Sequence, residues 1–148
     1  MKFLSKSVIE TNKIAEDFLE KLRPKGDKAL VIGLFGDLGS GKTTFTQALG
    51  KILGVQEVMT SPTFVIMKRY PISYKVHKVI KFSSLIHIDA YRLESGKEIL
   101  NLNFQEDMNN PANLILIEWP ERIIDALPID LIKINFKFIS EFEREIEL

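Results

Sequence analysis

The chain has 148 residues, of which 45% are apolar and 27% charged, with twenty basic side chains balancing twenty acidic ones. A single domain, 1–148, with a normal core fits that length, which leaves no room for a large separate substrate domain, and the charge balance excludes a long-range field that would draw the molecule onto nucleic acid or an anionic membrane. The lack of cysteine excludes disulfides, thiolate metal sites and a cysteine nucleophile; the polar start MKFLSKSVIETNK and the absence of about 18 consecutive apolar residues make the cytoplasm the expected location.

Ser7 to Leu22 predicts the first helix, because Ser7 and Glu10 form a capping box and Ile14, Ala15, Phe18, Leu19 and Leu22 share one face. Pro24, Gly26 and Asp27 break it. Ala29 to Phe35 is a continuous apolar run, the pattern of a strand buried on both faces of a mostly parallel sheet. A second helix follows a short glycine-rich loop, with Phe45, Ala48, Leu49, Ile52 and Leu53 on one stripe and Gly54 at its end. SPTFVIMKRY and SLIHIDAYRL read as two strands joined by a polar-tipped hairpin, PISYKVHKVIKFS. Glu94 to Asp107 is a weaker helical stretch, and NLILIEWP is another buried strand stopped by Pro120. Leu131 to Phe138 alternates Ile132, Ile134, Phe136 and Phe138 with Lys133, Asn135 and Lys137, which predicts an antiparallel strand with one wet face. The acidic tail EFEREIEL reads as a solvated last strand. The expected fold is α/β: a P-loop NTPase-like mixed sheet, mostly parallel at its core with antiparallel additions, and helices on both faces.

The loop FGDLGSGKTTF is the strongest chemical signal. Gly36, Gly41, Lys42 and Thr43 satisfy the pattern G-x-x-x-x-G-K-[ST], between a predicted strand and a predicted helix as a phosphate-binding loop requires. Gly36, Gly39 and Gly41 permit the backbone angles that turn successive N–H groups inward, at the positive end of the following helix. Lys42 would reach terminal phosphates, and Thr43 would offer its hydroxyl to magnesium.

A magnesium-nucleotide site also needs an acid at the end of a neighbouring strand, and Glu118 closes LILIE. In LIHIDAY, His87 and Asp89 share one strand face. Asp89 reads either as support for the metal or attacking water or as a hydrogen-bonded structural carboxylate; His87 reads as structural, because no other histidine or cysteine stands at metal-ligand spacing. Thr63, after Pro62, is either a switch threonine or a turn cap. Arg69, Arg92 and Arg122 are candidate charge stabilisers.

Four motifs in one order, GDLGSGKTT, SPTF, HIDAYRL and IEWPER, together resemble the bacterial TsaE family, also called YjeE, the small ATPases of tRNA threonylcarbamoyladenosine biosynthesis. The resemblance implies a P-loop α/β fold, weak ATP hydrolysis with Mg2+, and an accessory role to the TsaD and TsaB proteins, which transfer the threonylcarbamoyl group to adenosine 37 of tRNAs reading ANN codons. Carried over by position, Gly36, Asp37, Leu38, Gly39, Ser40, Gly41, Lys42, Thr43 and Thr44 match the ATP loop, and Thr43 and Glu118 the magnesium positions. Asp89 matches the functionally important aspartate, Thr63 the switch threonine, Trp119 the tryptophan beside the acid, and Thr11 a threonine near the nucleotide. Ser40 replaces the usual alanine, Asn103 stands near a position usually held by glycine, and the hairpin around SYKVHKVIKF is longer than typical. Two rival readings are a P-loop small-molecule kinase, which needs a lid that the sequence does not display, and an RNA-binding module. The second would use KRYPISYKVHKVIKF, where Lys68, Arg69, Lys75, Lys78 and Lys81 interleave with Tyr70, Tyr74 and Phe82.

Overall fold

The apolar runs read from the sequence lie side by side in one sheet of a computed structural model that describes residues 1–62, 64–73 and 82–148. In chain order the strands are β1 (Lys2–Ser5), β2 (Leu30–Phe35), β3 (Met67–Pro71), β4 (Ser84–Asp89), β5 (Asn113–Glu118), β6 (Ile132–Phe138) and β7 (Arg144–Glu147). The helices are α1 (Val8–Lys21), α2 (Lys42–Ile52), α3 (Gly96–Leu100) and α4 (Phe104–Met108), with a 3-10 segment over Pro120–Ala126. Across the sheet the order is β1, β7, β6, β2, β5, β4, β3. The four central strands, β6, β2, β5 and β4, run parallel, and β1, β7 and β3 join antiparallel at the two sides.

Strand β2 is apolar throughout because both its faces are covered. Leu30, Ile32 and Leu34 enter a core with α1 and α2, while Val31 enters a second core with Leu93, Ile99, Phe104 and Ile123. Each fully buried aliphatic side chain of this kind contributes about 1.5–3 kcal/mol. Helix α1 is entered through Ser7, whose hydroxyl accepts from the Glu10 N–H (3.2 Å), while Glu10 reaches back to the Lys6 N–H (2.6 Å). Phe45 ties α2 to its neighbours, edge-on to Phe136 at 5.4 Å between ring centroids and tilted against Phe18 at 6.1 Å. Helices therefore cover both faces, as expected.

Several expectations require correction. Strand β6 has the predicted wet face, but it pairs parallel with β2 and antiparallel only with β7. Alternation reports one dry face and says nothing about direction. The predicted strand starting at Ser61 is shorter: pairing begins at Met67, Phe64 is 85% exposed, and Ile66 has a left-handed φ of 67°. The stretch 94–107 is two short helices divided at Asn103, whose φ is 61°. Asparagine tolerates that conformation better than most residues, so it substitutes for glycine there. Strand β1 was not anticipated. Tyr70 and Phe82 are buried in the core, Lys68 pairs with Glu57 and Arg69 with Asp107, so the described part of the basic-aromatic stretch does not offer stacking rings. Lys75, Lys78, Lys81 and Tyr74, the tip of the predicted hairpin, lie outside the described residues. Among the described residues no helix is long and apolar enough to cross a membrane.

Candidate functional site

The segment from Gly36 to Gly41 carries the chain from the end of β2 into α2 through three glycines with positive φ: Gly36 (142°), Gly39 (74°) and Gly41 (103°). At Gly36 the requirement is steric as well as torsional, since a Cβ would meet the Phe136 carbonyl oxygen at 2.3 Å. Gly41 is the N-cap of α2 and supplies no side-chain cap, and the first turn holds no acidic residue. The first-turn N–H groups, which have no carbonyl one turn earlier, open onto a cleft at the positive end of the helix.

Lys42 folds back over this loop. Its Nζ donates to the carbonyls of Gly36 (2.6 Å) and Asp37 (2.8 Å) and lies 4.2 Å from the centroid of the Trp119 ring. The residue is 4% exposed, and no carboxylate oxygen among the described residues lies within ion-pairing distance of it. Burial pulls its ammonium below the ordinary lysine range, against the opposing charges of Glu118, Glu121, Asp37 and Asp89.

Glu118 ends β5 beside Leu34 of β2 on one side and Asp89 of β4 on the other. The loop and two acids therefore meet at the carboxyl ends of three parallel strands, where open α/β sheets form ligand crevices. The Thr43 hydroxyl lies 3.1 and 3.0 Å from the two Glu118 oxygens, and His87 Nε2 is 2.8 Å from Oε1. Asp89 accepts from Ser61 Oγ (3.0 Å) and from the Tyr91 N–H (3.0 Å). Trp119 follows Glu118 with a left-handed φ of 59°, uncommon for so large a residue, and its ring packs against Tyr91 at 5.0 Å.

A cleft of about 520 Å³ gathers most of the residues singled out in the sequence: Leu38, Gly39, Ser40, Gly41, Lys42, Thr43 and Thr44 line it, with Thr11, Asp89, Glu118 and Trp119. Gly36 and Asp37 stand behind the lining and take part through their carbonyls. Thr11 Oγ1 lies 2.8 Å from Ser5 Oγ and bonds the Ser7 carbonyl. Thr63 lies outside the described residues. None of the three arginines read as candidate charge stabilisers lines the cleft: Arg69 pairs with Asp107, Arg92 lies over the Phe64 ring, and Arg122 lies over the ring of Tyr91, which does line it.

Sequence reading missed the far wall, made by Ser5 to Val8 and by Glu141, Phe142 and Arg144. Arg144 Nε donates to the Gly39 carbonyl (3.0 Å), a contact between residues 105 positions apart that no local motif announces. It also missed that His87 touches Glu118, although the shared strand face of His87 and Asp89 pointed there. Chemically, the site sets a cation and uncapped N–H donors beside a hydroxyl and two carboxylates. The first group suits an oxyanion, and the second suits a hard, oxygen-ligated cation such as magnesium.

Residues 5–146 match the family model described as threonylcarbamoyl adenosine biosynthesis protein TsaE. The tRNA threonylcarbamoyladenosine biosynthesis protein TsaE of Rickettsia felis is 38% identical over 136 residues, spanning 91% of this chain and 71% of that protein. The protein of the same name from Bacillus subtilis is 36% identical over 116 residues, 78% of this chain and 66% of that one. The crystal structure of YdiB from Bacillus subtilis superposes with a TM-score of 0.72 at 30% identity, covering 99% of this chain and 82% of YdiB. Matched over nearly its whole length, the chain belongs to the TsaE family of tRNA threonylcarbamoyladenosine biosynthesis proteins.

Proposed function

We propose that this chain binds ATP with Mg2+ along residues 36–44, hydrolyses it weakly, and acts through its nucleotide state as a conformational switch on TsaD and TsaB during threonylcarbamoyl modification of adenosine 37 in tRNA. The observation that carries the nucleotide reading is Lys42: a buried ammonium without an anionic partner among the described residues, at an uncapped helix start. Such a charge is costly unless a ligand supplies the missing anion. A phosphate loop reads phosphates and not the base, so the choice of ATP rests on the family.

In this reading Lys42 leaves the Gly36 and Asp37 carbonyls and neutralises the terminal phosphates, while the first-turn N–H groups of α2 hold the phosphate oxygens. Thr43, through its hydroxyl, and Glu118, through the carboxylate that the hydroxyl now contacts, are the residues that would hold the magnesium. Magnesium bound there would supply charge neutralisation of the phosphates. Asp89, held by Ser61 and the Tyr91 N–H, orients the attacking water from the adjoining strand end. Thr63 serves as the switch threonine and Thr11 approaches the nucleotide from α1. In this reading the free energy of hydrolysis acts on a partner rather than on a second bound substrate.

Lys42→Ala and Glu118→Ala are each expected to lower ATP turnover by about 100-fold or more, measured as phosphate release. Unchanged turnover in both variants would overturn the active-site assignment. The switch role is tested separately by co-purification with TsaD and TsaB, which should depend on ATP. Equal recovery with and without nucleotide, or modified tRNA formed over many turnovers without this chain, would remove that role.

A further inference from the structure

We propose that His87 is a positioning residue for Glu118, holding one carboxylate oxygen fixed when Thr43 releases the other; the role rests on the reading of Glu118 given above. His87 stands inside β4 between Ile86 and Ile88, is 1% exposed, and has no access to the cleft. Its Nε2 is 2.8 Å from Glu118 Oε1, itself on a buried residue. A carboxylate only accepts, so the hydrogen bond assigns the proton to Nε2.

The other ring nitrogen separates this role from ordinary packing. Nδ1 is buried and has no hydrogen-bond partner among the described residues. A histidine retained to knit a core together would satisfy both nitrogens, as buried polar groups generally do. Here, among the described residues, the ring is satisfied only toward Glu118. With the proton on Nε2, its other side is a lone pair, a less costly orphan than an N–H donor would be.

The second part of the inference is the order in which donors are lost. Thr43 has one hydroxyl proton, and its oxygen lies at 3.1 and 3.0 Å from the two Glu118 oxygens. When that hydroxyl turns to a cation, His87 is the side-chain donor left on Glu118 among the described residues. It approaches from the sheet interior, on a strand whose parallel pairing with β5 sets Asp89 directly across from Glu118. The carboxylate therefore keeps Oε1 anchored in the sheet and presents Oε2 to the cleft. Without that anchor the carboxylate is free to rotate about its last torsion, which is broad and soft.

Two variants test the role. His87→Phe fills the space without a donor, and His87→Gln carries an N–H donor of similar reach. Each is compared with the parent chain for ATP kcat and KM, for ADP affinity in EDTA and with magnesium, read from the fluorescence of Trp119, the sole tryptophan, and for melting temperature. In His87→Phe, kcat and the magnesium-dependent gain in ADP affinity should fall about 10- to 100-fold, while KM and the affinity in EDTA stay within about twofold. His87→Gln should recover most of both. Parent-like kcat and magnesium gain in His87→Phe would overturn the role. So would equal losses in both variants accompanied by lost affinity in EDTA and a lowered melting temperature, which is the pattern of a packing residue. A parent chain that neither binds nor hydrolyses ATP would instead overturn the reading of the whole site, and the positioning role with it.

Discussion

Lys42 is the residue whose situation is least like that of an ordinary surface lysine. Among the described residues its ammonium donates only to two carbonyls of its own loop, and its charge is disfavoured by burial. The lowered pKa means that the folded chain holds this proton more weakly than the unfolded chain does. Lys42 therefore costs stability below its folded pKa, and the cost fades as pH rises through that value. Phosphate binding reverses the bias, because the bound anion favours the charged form and raises the pKa in the complex. Nucleotide affinity should accordingly be flat with pH while Lys42 is protonated in the free protein. It should then fall by up to about tenfold per pH unit above the lowered pKa, beginning below the ordinary lysine value of about 10.4. Calorimetric titration of ADP at rising pH measures this, with Lys42→Met as the control in which that limb is absent. A limb shared by parent and control would show that some other group is titrating. The identity of this residue was legible because G-x-x-x-x-G-K-[ST] is a contiguous signal; its contact with Trp119, 77 positions away, depended on β5 lying next to β2.

At the scale of elements, what was legible was what the chain forms locally. The β2 run, the glycine loop and the α2 stripe follow one another within 23 residues and need no distant partner to be recognised. Strand β1 was not legible because KFLS has no apolar alternation; its burial is confined to Ser5 and, in part, Phe3, and it is a strand because β7 presents an edge to it. Phe64 and Val65 misled for the opposite reason, being apolar in composition and exposed in place. The hairpin linking β6 to β7 is the element whose function was hidden. Arg144 opens β7, donates to the carbonyls of Ser140 (2.5 Å), Glu143 (2.9 Å) and Gly39 (3.0 Å), and lies over the Phe138 ring at 4.6 Å. It clamps the hairpin to the phosphate loop. Arg144→Ala should weaken ADP binding about tenfold, near the worth of one charged hydrogen bond of about 1.5 kcal/mol, with helix content by circular dichroism unchanged. Arg144→Lys should not restore it, because an ammonium on a flexible stem cannot reproduce the fork that reaches the carbonyls of Gly39, Ser140, Glu141 and Glu143. ADP affinity equal to the parent's in Arg144→Ala would leave the clamp without a function.

At the scale of the molecule, the two ends of the chain close the same side of the sheet. The Met1 amino group donates to the Leu148 carbonyl (2.7 Å), and the Leu148 N–H donates back to Met1 (2.9 Å). Strand β1 pairs only with β7 among the described residues, and β7 joins the parallel core only through β6. Ile146 is the bolt of this arrangement: it stands opposite Phe3 on one side and Phe136 on the other, and its side chain is buried in the core that α1 and α2 share. The cleft wall made by Ser5, Lys6, Ser7 and Val8 therefore depends on a residue that does not touch the cleft. Ile146→Ala should destabilise the fold by about 2–5 kcal/mol, the usual cost of emptying a buried aliphatic site. The loss should be unevenly distributed, because β1 has one neighbour whereas β2 has two and is covered on both faces. Hydrogen exchange is expected to speed up first at the amides of Phe3, Leu4 and Ser5, at denaturant concentrations where Ile32 and Leu34 remain protected. ADP affinity should fall in the same range, since opening β1 releases Ser5 from Thr11 and carries the start of α1 away from the loop. If the β1 and β2 amides instead exchange together at every denaturant concentration, the terminal strands open only with the whole sheet, and the far wall of the cleft is as rigid as its centre.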